Sequence, residues 1–476
     1  MYTENDLIGI PRYQKNNYLF ENVALFLFIT IIPFQWVVLI QILGLKVKPV
    51  HLSFIMIVLA FLNLNHKGIV FNKLTKVNGY FIYFFSLYLA MLIFAMLGSD
   101  NLNAGISVIS KFTIYFVIFI LLSTIIMALP DEKIARLIYL AVPLGIFFFI
   151  GYAVYVFHTV GKNFLVEYIL AVRHADVGTL HYKIYPMLFN FSGGTISGKE
   201  SDSFMGSSLR NMLMGVFITY MIILNMYGRC LQTQRNKGLI LTISIGLTIL
   251  FVLIVLSSVS RSAILILCCC FGLVWFISKL RLRKRFSLKK ALGTVLFFMV
   301  IIISTLVYSE YFFGAQEILH DRFTDMGSTQ SRIIMYQESL KLINEKMILG
   351  HGPGARIETT PGRSIWEKDH RVHNLFFASW FEAGTGGLIA SILFYFAIVW
   401  LWIRYIILII NYPNRWLLPI SPEWTMTLPI VPLFRALLSG GGGMFALVGW
   451  FCLAMFFACI ARNEAALRAS DKSLKH

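Results

Sequence analysis

Charged residues are scarce in this chain, and acidic residues are scarcer than basic ones. Only 13% of the 476 residues are charged and 58% are hydrophobic, with 23 Asp and Glu against 41 Lys and Arg. A soluble domain carries about 25% charged residues, so the composition excludes an ordinary soluble protein. The apolar runs are continuous rather than alternating, which excludes a membrane β-barrel and predicts a polytopic all-α membrane protein.

Cysteine is also rare, and its positions exclude cysteine-based sites. All six cysteines lie in or beside apolar runs, and none lies in the long polar loops. We therefore expect neither a disulfide framework nor a cysteine-based zinc site. The polar start, residues 1–17, and the length of the first apolar run argue against a cleavable signal peptide.

The apolar runs predict about twelve transmembrane helices, with both chain ends in the cytoplasm. The spans cover residues 21–43, 50–64, 79–97, 105–129, 137–158, 211–227, 238–258, 262–277, 291–309, 388–410, 426–438 and 444–460. The second is short, and the eleventh carries two prolines and Arg435. The segments predicted to lie on the cytoplasmic side are rich in Lys and Arg, whereas the outer segment 98–104 has neither residue. The net charge of +18 therefore reflects membrane topology and not a nucleic-acid partner.

This topology divides the chain into three parts. Residues 1–308 hold the N-terminal transmembrane helices with a first outer loop at 159–210, residues 309–373 form a large outer loop, and residues 374–476 follow it. One helix over 374–410 would be about 55 Å long, against a hydrocarbon core of about 30 Å. Gly384, Gly386 and Gly387 therefore predict a break between a short interfacial helix and a span from 388, which keeps Glu382 near the membrane boundary.

The large outer loop is predicted to be partly helical. Residues 331–347 have an apolar stripe at helical spacing, and Ser331 is the predicted N-cap. Residues 350–354, Gly-His-Gly-Pro-Gly, then predict a sharp turn. They lack the Gly-Lys-Ser/Thr ending and the preceding strand of a phosphate-binding P-loop. His370 and His373 have a spacing that a metal could use, but no companion carboxylate pattern or cysteine is present, so no metal site is predicted.

Three side chains near the outer surface could carry chemistry, and a fourth candidate lies inside an apolar run. Arg261 follows a tight outer turn and either snorkels to lipid phosphates or grips an anionic headgroup with its planar fork. Arg332 is predicted to open the loop helix, where a cation opposes the helix dipole; it binds an anion or is an ordinary surface arginine. His373 is a general base or an interfacial polar residue. Lys111, inside the fourth run, snorkels or lines a cavity.

Taken in order, these motifs resemble the O-antigen ligase and O-antigen polymerase superfamily of bacterial membranes. The motifs are Ser260-Arg261-Ser262, Ser331-Arg332, the glycine-rich residues 350–354, and His373-Asn374 followed by Glu382, Gly384 and Gly387. The resemblance covers roughly residues 259–410, and the amino-terminal half resembles the family only as a set of hydrophobic helices.

The resemblance implies a C-type membrane glycosyltransferase fold in the bacterial inner membrane, with the active site and the large loop facing the periplasm. It implies a donor glycan linked to undecaprenyl diphosphate, a glycan or lipid acceptor, and no metal, cofactor or nucleotide sugar. By the same resemblance, Arg261 and Arg332 would bind the donor diphosphate, and His373 would orient or deprotonate the acceptor hydroxyl. Asn374, Glu382, Gly384 and Gly387 would support them.

Several functions fit this resemblance. The favoured one is a polymerase of lipid-linked repeat units of O-antigen, capsule or exopolysaccharide, with membrane lipids and a chain-length regulator as partners. An O-antigen ligase would move the finished glycan onto lipid A-core, and a protein-directed oligosaccharyltransferase is a third member of the same class. A glycan flippase or transporter would usually show paired halves and charges along a midplane path, and no convincing internal repeat is found.

Overall fold

A computed structural model confirms an all-α polytopic membrane fold. It describes residues 18–35, 40–42, 45–66, 72–99, 101–159, 161–173, 191–192, 195–196, 203–231, 237–258, 260–281, 327–355, 372, 374–438 and 446–473. Among these residues, seven helices are long and apolar enough to cross a membrane: Gly79–Gly98, Leu102–Ala128, Asp131–Thr159, Leu213–Leu231, Ser262–Arg281, Leu375–Asn411 and Leu447–Ser470. Leu19–Phe34, Pro49–Leu64 and Ile240–Leu256 are shorter apolar helices.

Helices make up most of the described residues in the first half of the chain. The helices are α1 (Leu19–Ile31), α2 (Pro49–His66), α3 (Asn72–Ala95), α4 (Leu102–Ala128), α5 (Asp131–Thr159), α6 (Phe164–Arg173) and α7 (Ser203–Leu231). Short 3-10 turns, Ile32–Phe34 and Met96–Gly98, extend α1 and α3. Two strands of two residues each, β3 (Phe191–Ser192) and β4 (Thr195–Ile196), pair antiparallel ahead of α7.

The first predicted span, 21–43, is too long. Its helix passes into the 3-10 turn at Ile32 and ends at Phe34, and β1 (Ile40–Ile42) then pairs antiparallel with β2 (Leu45–Val47). Pro33 lies in this turn. Because proline has no backbone N–H and clashes with the preceding helical turn, the α-helix does not continue through it. Hydropathy alone did not distinguish the helix from the apolar hairpin after it.

The second half contains the helices that position the candidate site. They are α8 (Lys237–Ser257), α9 (Arg261–Arg281), α10 (Gly327–Glu345), α11 (Leu375–Asn411), α12 (Pro422–Thr425), α13 (Ile430–Leu438) and α14 (Leu447–Ser473). A 3-10 turn, Pro413–Arg415, follows α11. The predicted ninth span, 291–309, lies outside the described residues.

The loop helix begins earlier than predicted. It starts at Gly327, so Ser331 is inside α10 and is not its N-cap, and Arg332 lies in the second turn instead of at the helix start. The added residues 327–330 are Gly-Ser-Thr-Gln. First turns of helices are commonly polar, because small polar residues satisfy the exposed amides there. An apolar stripe therefore marks the body of such a helix and misses its first turn.

Within the described residues, the eleventh predicted span, 426–438, is too short to cross a membrane. Residues 426–429 form turns, and α13 has only 9 residues. At 1.5 Å per residue such a helix is about 14 Å long, less than half of a hydrocarbon core of about 30 Å. The predicted span therefore contains a helix, but its two prolines limit that helix to about half the length of a transmembrane span.

The helix α14 lies at the centre of the bundle. It packs against α4, α3 and α13, while α11 packs against α3, and α1 against α2 and α5. Trp450 on α14 is 1% exposed. Its ring contacts the rings of Phe85, Phe116 and Phe119, with centroids 4.9, 6.2 and 5.9 Å away. Aromatic side chains thus join α3 and α4 to α14.

Candidate functional site

The long helix α11 is broken where the glycines predicted a break. Ala383 (φ −128°, ψ 18°) and Gly384 (φ 62°, ψ −165°) depart from helical geometry. Asn374 caps the first segment, since its side-chain oxygen accepts from the backbone N–H of Phe376 at 2.8 Å and Phe377 at 3.3 Å. The prediction of a short helix over 374–383 ahead of the span is therefore confirmed.

A turn of glycines, residues 346–355 and here called the glycine turn, fills the break. In an unbroken helix the carbonyls of Phe381 and Glu382 would accept from amides four residues later. They accept instead from the backbone N–H groups of His351, at 2.9 Å, and Gly352, at 3.0 Å. The break frees two backbone carbonyls, and the glycine turn supplies the donors that satisfy them.

Two glycines make this close approach possible. Gly384 has a φ of +62°, and a Cβ there would lie 2.0 Å from the carbonyl oxygen of Ile348. Gly350 has a φ of +71°, and its Cβ would lie 2.5 Å from the amide nitrogen of Gly384. Both positions combine left-handed backbone with contact to another backbone segment, which only glycine tolerates. From the helix side, the N–H and hydroxyl of Thr385 donate to the Met347 carbonyl at 2.9 and 3.0 Å.

The other side of the glycine turn packs against the link between α3 and α4. A Cβ on Gly352 would lie 2.3 Å from Ser99, and one on Gly354 would lie 3.2 Å from the carbonyl oxygen of Ala104. The Lys346 ammonium donates to the carbonyl of Gly98 at 3.5 Å. The turn is therefore held between two elements at one end of the bundle, and this end is the one predicted to face outward.

His351 contributes a contact that sequence reasoning missed. Its ring stacks on Phe381, with centroids 4.8 Å apart and an interplanar angle of 26°. Its Nε2 is 2.8 Å from the carbonyl oxygen of Leu342. Because a carbonyl only accepts, Nε2 carries the proton. The residue thus ties α10 to the first segment of α11; as one residue in a glycine-rich turn it gave no signal of this contact.

The helix α10 docks on the first segment of α11 through a small apolar cluster. The buried members are Ile343, Val372, Ala378 and Phe381. At its edge, the ring of Tyr336 lies over that of Phe377, with centroids 5.0 Å apart. This packing, together with the glycine turn, fixes the start of α11 relative to the loop helix.

A polar group lies beneath the break, between α3 and α11. The hydroxyl oxygens of Ser379 and Tyr88 are 3.2 Å apart, and both residues are buried. Glu382, one turn after Ser379, lies near enough to Tyr88 to interact with it electrostatically. A Cβ on Gly387 would lie 2.4 Å from that of Ala383, so the helix repacks closely after its break. Glu382 therefore lies at the break, as predicted. The sequence did not predict that Tyr88, which is distant along the chain, would pack against this part of α11.

The backbone of the first arginine motif forms the predicted tight turn. The helix α8 ends at Ser257 and α9 begins at Arg261. Ser260 caps α9, because its hydroxyl oxygen accepts from the N–H of Ala263 at 3.3 Å. The hydroxyl of Ser258 accepts from the N–H of Ser260 at 3.3 Å. Serines at this turn therefore satisfy the exposed amides at the start of α9.

The structure describes the neighbours of the three principal candidate residues but not the candidate side chains themselves. His373 falls outside the described residues, as do the side chains of Arg261 and Arg332. Val372 and Asn374, on either side of His373, are both described: the first is 3% exposed in the apolar cluster and the second caps α11. Among the residues described, no group of three or more His, Cys, Asp or Glu is arranged to hold a metal ion.

The segment that carries this geometry also carries a family signature. Residues 246–392 match the model of the O-antigen ligase family. This match confirms the resemblance predicted from the motifs, and it indicates a glycan-transferring membrane enzyme. The matched residues include α9, α10, the glycine turn and the break in α11. No curated protein sequence matches the chain significantly.

Proposed function

We propose that this protein polymerises undecaprenyl-diphosphate-linked repeat units of O-antigen, capsule or exopolysaccharide on the periplasmic face of the bacterial inner membrane. The observation that carries the proposal is the break in α11 and its glycine turn, which lie inside the segment that matches the O-antigen ligase family. The bonds from the turn to Phe381 and Glu382 fix the helix whose N-cap, Asn374, directly follows His373.

The proposed reaction needs a base and cations at one end of the bundle. A hydroxyl of the acceptor glycan attacks the anomeric carbon of the donor sugar, and the bond from that carbon to the diphosphate oxygen breaks. His373 accepts the hydroxyl proton, and undecaprenyl diphosphate leaves with the bonding electron pair. Arg261 and Arg332 bind the diphosphate as its charge develops; each well-placed cation of this kind stabilises a transition state by about 3 kcal/mol.

The supporting residues act on geometry in this proposal. Asn374 caps the helix that follows His373, which limits how the chain can enter α11. Gly384 and Gly387 allow the close packing of the break. Glu382 supplies a carbonyl to the glycine turn, and its carboxylate interacts electrostatically with Tyr88. Pre-organisation of this type positions reacting groups before the substrate binds.

A second candidate is an O-antigen ligase, which the name of the matched family favours. The ligase would use the same donor and transfer the finished glycan to lipid A-core. A protein-directed oligosaccharyltransferase would differ only in its acceptor, whereas a flippase or transporter would move the lipid-linked glycan without joining it. The four functions are distinguished by the species that accumulates when the protein is inactive.

The test is to replace Arg332 or His373 with alanine and analyse glycans from cells that depend on this protein. We expect at least about a hundredfold less polymer, unchanged protein in the membrane, and accumulation of single repeat units on the lipid carrier. Lys341→Ala is the matched control, because Lys341 lies on the same helix, is 71% exposed and pairs with Glu338.

Other outcomes identify the alternatives. Long chains that remain on the lipid carrier would indicate the ligase. Repeat units trapped on the cytoplasmic face would indicate the flippase, and unglycosylated target protein would indicate the oligosaccharyltransferase. Normal chain length in both the Arg332 and His373 variants would contradict the assigned site.

A further inference from the structure

A cavity lies at the end of the bundle opposite the glycine turn. The turn contacts the start of α4, and Asp131, just after the end of α4, pairs with Arg462 at 2.6 Å. The neighbouring Asn463 accepts from the backbone N–H of Leu417 at 2.8 Å. Four residues later, Ser421 lines a cavity of about 150 Å³. The helix α4, about 40 Å long, thus separates this cavity from the candidate active site.

The cavity lies between the end of α7, the start of α8 and α12. Its polar lining comes from Asn225, Arg229, Ser244 and Ser421, and its apolar lining includes Leu241 and Trp424. Arg229 is the charged residue of this lining. A polar recess with an apolar wall at the end of a helix bundle is suited to a ligand with a charged head and an apolar body.

Two arginines share a single carboxylate beside this cavity. Arg281 donates to one oxygen of Glu423 at 2.9 Å, and the hydroxyl of Ser421 donates to the other at 2.6 Å. The guanidinium of Arg229 is 3.9 Å from the same carboxylate. Arg281 and Ser421 thus already satisfy the Glu423 carboxylate. Two cations and one anion leave this group of side chains with a net charge of about +1.

Arg229 retains most of its capacity to bind an anion. Its side chain is 53% exposed, and within the described part of the chain its guanidinium makes no hydrogen bond. A guanidinium has five N–H donors in a fixed planar fork. Residues 203–309 contain no Asp or Glu, whereas Arg235 and Lys237 follow Arg229 in the sequence. The surroundings therefore favour an anionic ligand.

We propose that this cavity binds the phosphate headgroup of an anionic phospholipid. Arginine grips phosphate in two-pronged fashion, and basic pockets between helices are a recurrent means of holding such lipids. The apolar wall favours a lipid over free phosphate: Leu241 is 45% exposed on the outside of α8, where an acyl chain would lie. Under the proposed topology, the lipid belongs to the cytoplasmic leaflet.

The test compares lipid binding by the full chain in detergent, using native mass spectrometry with phosphatidylglycerol and phosphatidylcholine. We expect the wild-type protein to bind phosphatidylglycerol more tightly. Arg229→Gln should weaken that binding about tenfold, the effect of losing a charge-assisted contact, and leave phosphatidylcholine binding unchanged. Arg229→Lys keeps the charge without the fork and should give an intermediate affinity.

Arg136→Gln is the matched control. Arg136 lies near the start of α5 at the same end of the bundle, its side chain is 65% exposed, and it is not part of the cavity lining. Its replacement should leave phosphatidylglycerol binding unchanged. Equal phosphatidylglycerol affinity in the wild-type and Arg229→Gln proteins would overturn the proposal, as would an equal loss in Arg136→Gln. Competition by millimolar inorganic phosphate that displaces the lipid completely would assign the site to a soluble anion and overturn the lipid assignment.

Discussion

A single glycine, Gly384, allows the break in α11. Its backbone is left-handed, and the carbonyl of Ile348 occupies the space where a side chain would begin. The carbonyls freed beside it bind the glycine turn, so the same residue controls both the helix direction and the docking of the loop. The sequence predicted the break because the apolar run is too long for a single span and contains three glycines near its start. It did not predict which segment would fill the break.

We expect Gly384→Ala to lower the thermal midpoint and to abolish glycan polymerisation. The backbone conformation of Gly384 (φ 62°, ψ −165°) is essentially restricted to glycine and costs another residue about 1–3 kcal/mol, and the clash at 2.0 Å adds to this cost. The measurement is thermal unfolding in detergent combined with glycan analysis. Gly272→Ala is the control, because nothing beyond its own helical backbone lies within 4 Å of a Cβ at that position. It should leave polymerisation unchanged and should not lower the midpoint, since alanine is the better helix former. An unchanged midpoint in Gly384→Ala would show that the break does not depend on this glycine.

Among the described residues, two buried arginines on helices have different surroundings. Arg462 on α14 is 1% exposed and pairs with Asp131 at 2.6 Å. Arg435 on α13 is 3% exposed, and its Nε and Nη1 have no hydrogen-bond partner among the described residues. Its guanidinium lies against Gly215, where a Cβ would be only 2.6 Å from Cζ. The half-length helix therefore holds a charge that these neighbours do not neutralise.

We expect Arg435→Met to raise the thermal midpoint and Arg462→Met to lower it. An unpaired charge in the membrane interior costs about 2.5–3.5 kcal/mol, and methionine fills a similar volume without that cost. Removal of Arg462 instead leaves Asp131 buried and unpaired, which costs about 3–5 kcal/mol. Both variants are compared with the wild type by thermal unfolding in the same detergent. A lower midpoint in Arg435→Met would mean that the guanidinium has a stabilising partner.

The whole molecule has two differently constructed ends. At the end predicted to face outward, backbone hydrogen bonds and glycines hold the loop helix against α11. At the other end, ion pairs join the helices: Asp131 with Arg462, and Glu423 with Arg281. Burial by itself raises the pKa of Glu423, but hydrogen bonds from Ser421 and Arg281 more than offset it, so the pKa lies below its ordinary value of 4.5.

Acid should therefore weaken the ion-paired end. A carboxyl whose pKa is lower in the folded protein contributes stability above its unfolded pKa, and that stability is lost as the pH falls through the folded pKa. We expect the thermal midpoint of the wild-type protein to decrease as the pH is lowered below about 4.5. The decrease should be smaller in Glu423→Gln. Thermal unfolding across a pH series measures both slopes. Parallel curves for the two proteins would contradict a stabilising role for the ionised carboxylate.

The sequence by itself determined the membrane class, the positions of most helices and the break in α11. These properties depend on hydrophobicity along a run and on the backbone freedom of glycine, which are local. It placed the end of the first span too late, because hydropathy does not separate an apolar hairpin from a helix. It placed the start of α10 too late, because hydropathy does not detect a polar first turn.

Only the tertiary structure decided the pairings. Asp131 and Arg462 are 331 residues apart, Ser379 and Tyr88 are 291 apart, and no local pattern connects them. The tertiary structure also showed that the glycine turn satisfies the carbonyls of the broken helix and that α13 is a half-length helix. The physical reason is that each buried polar group must find a partner, and which partner is near depends on how distant helices pack.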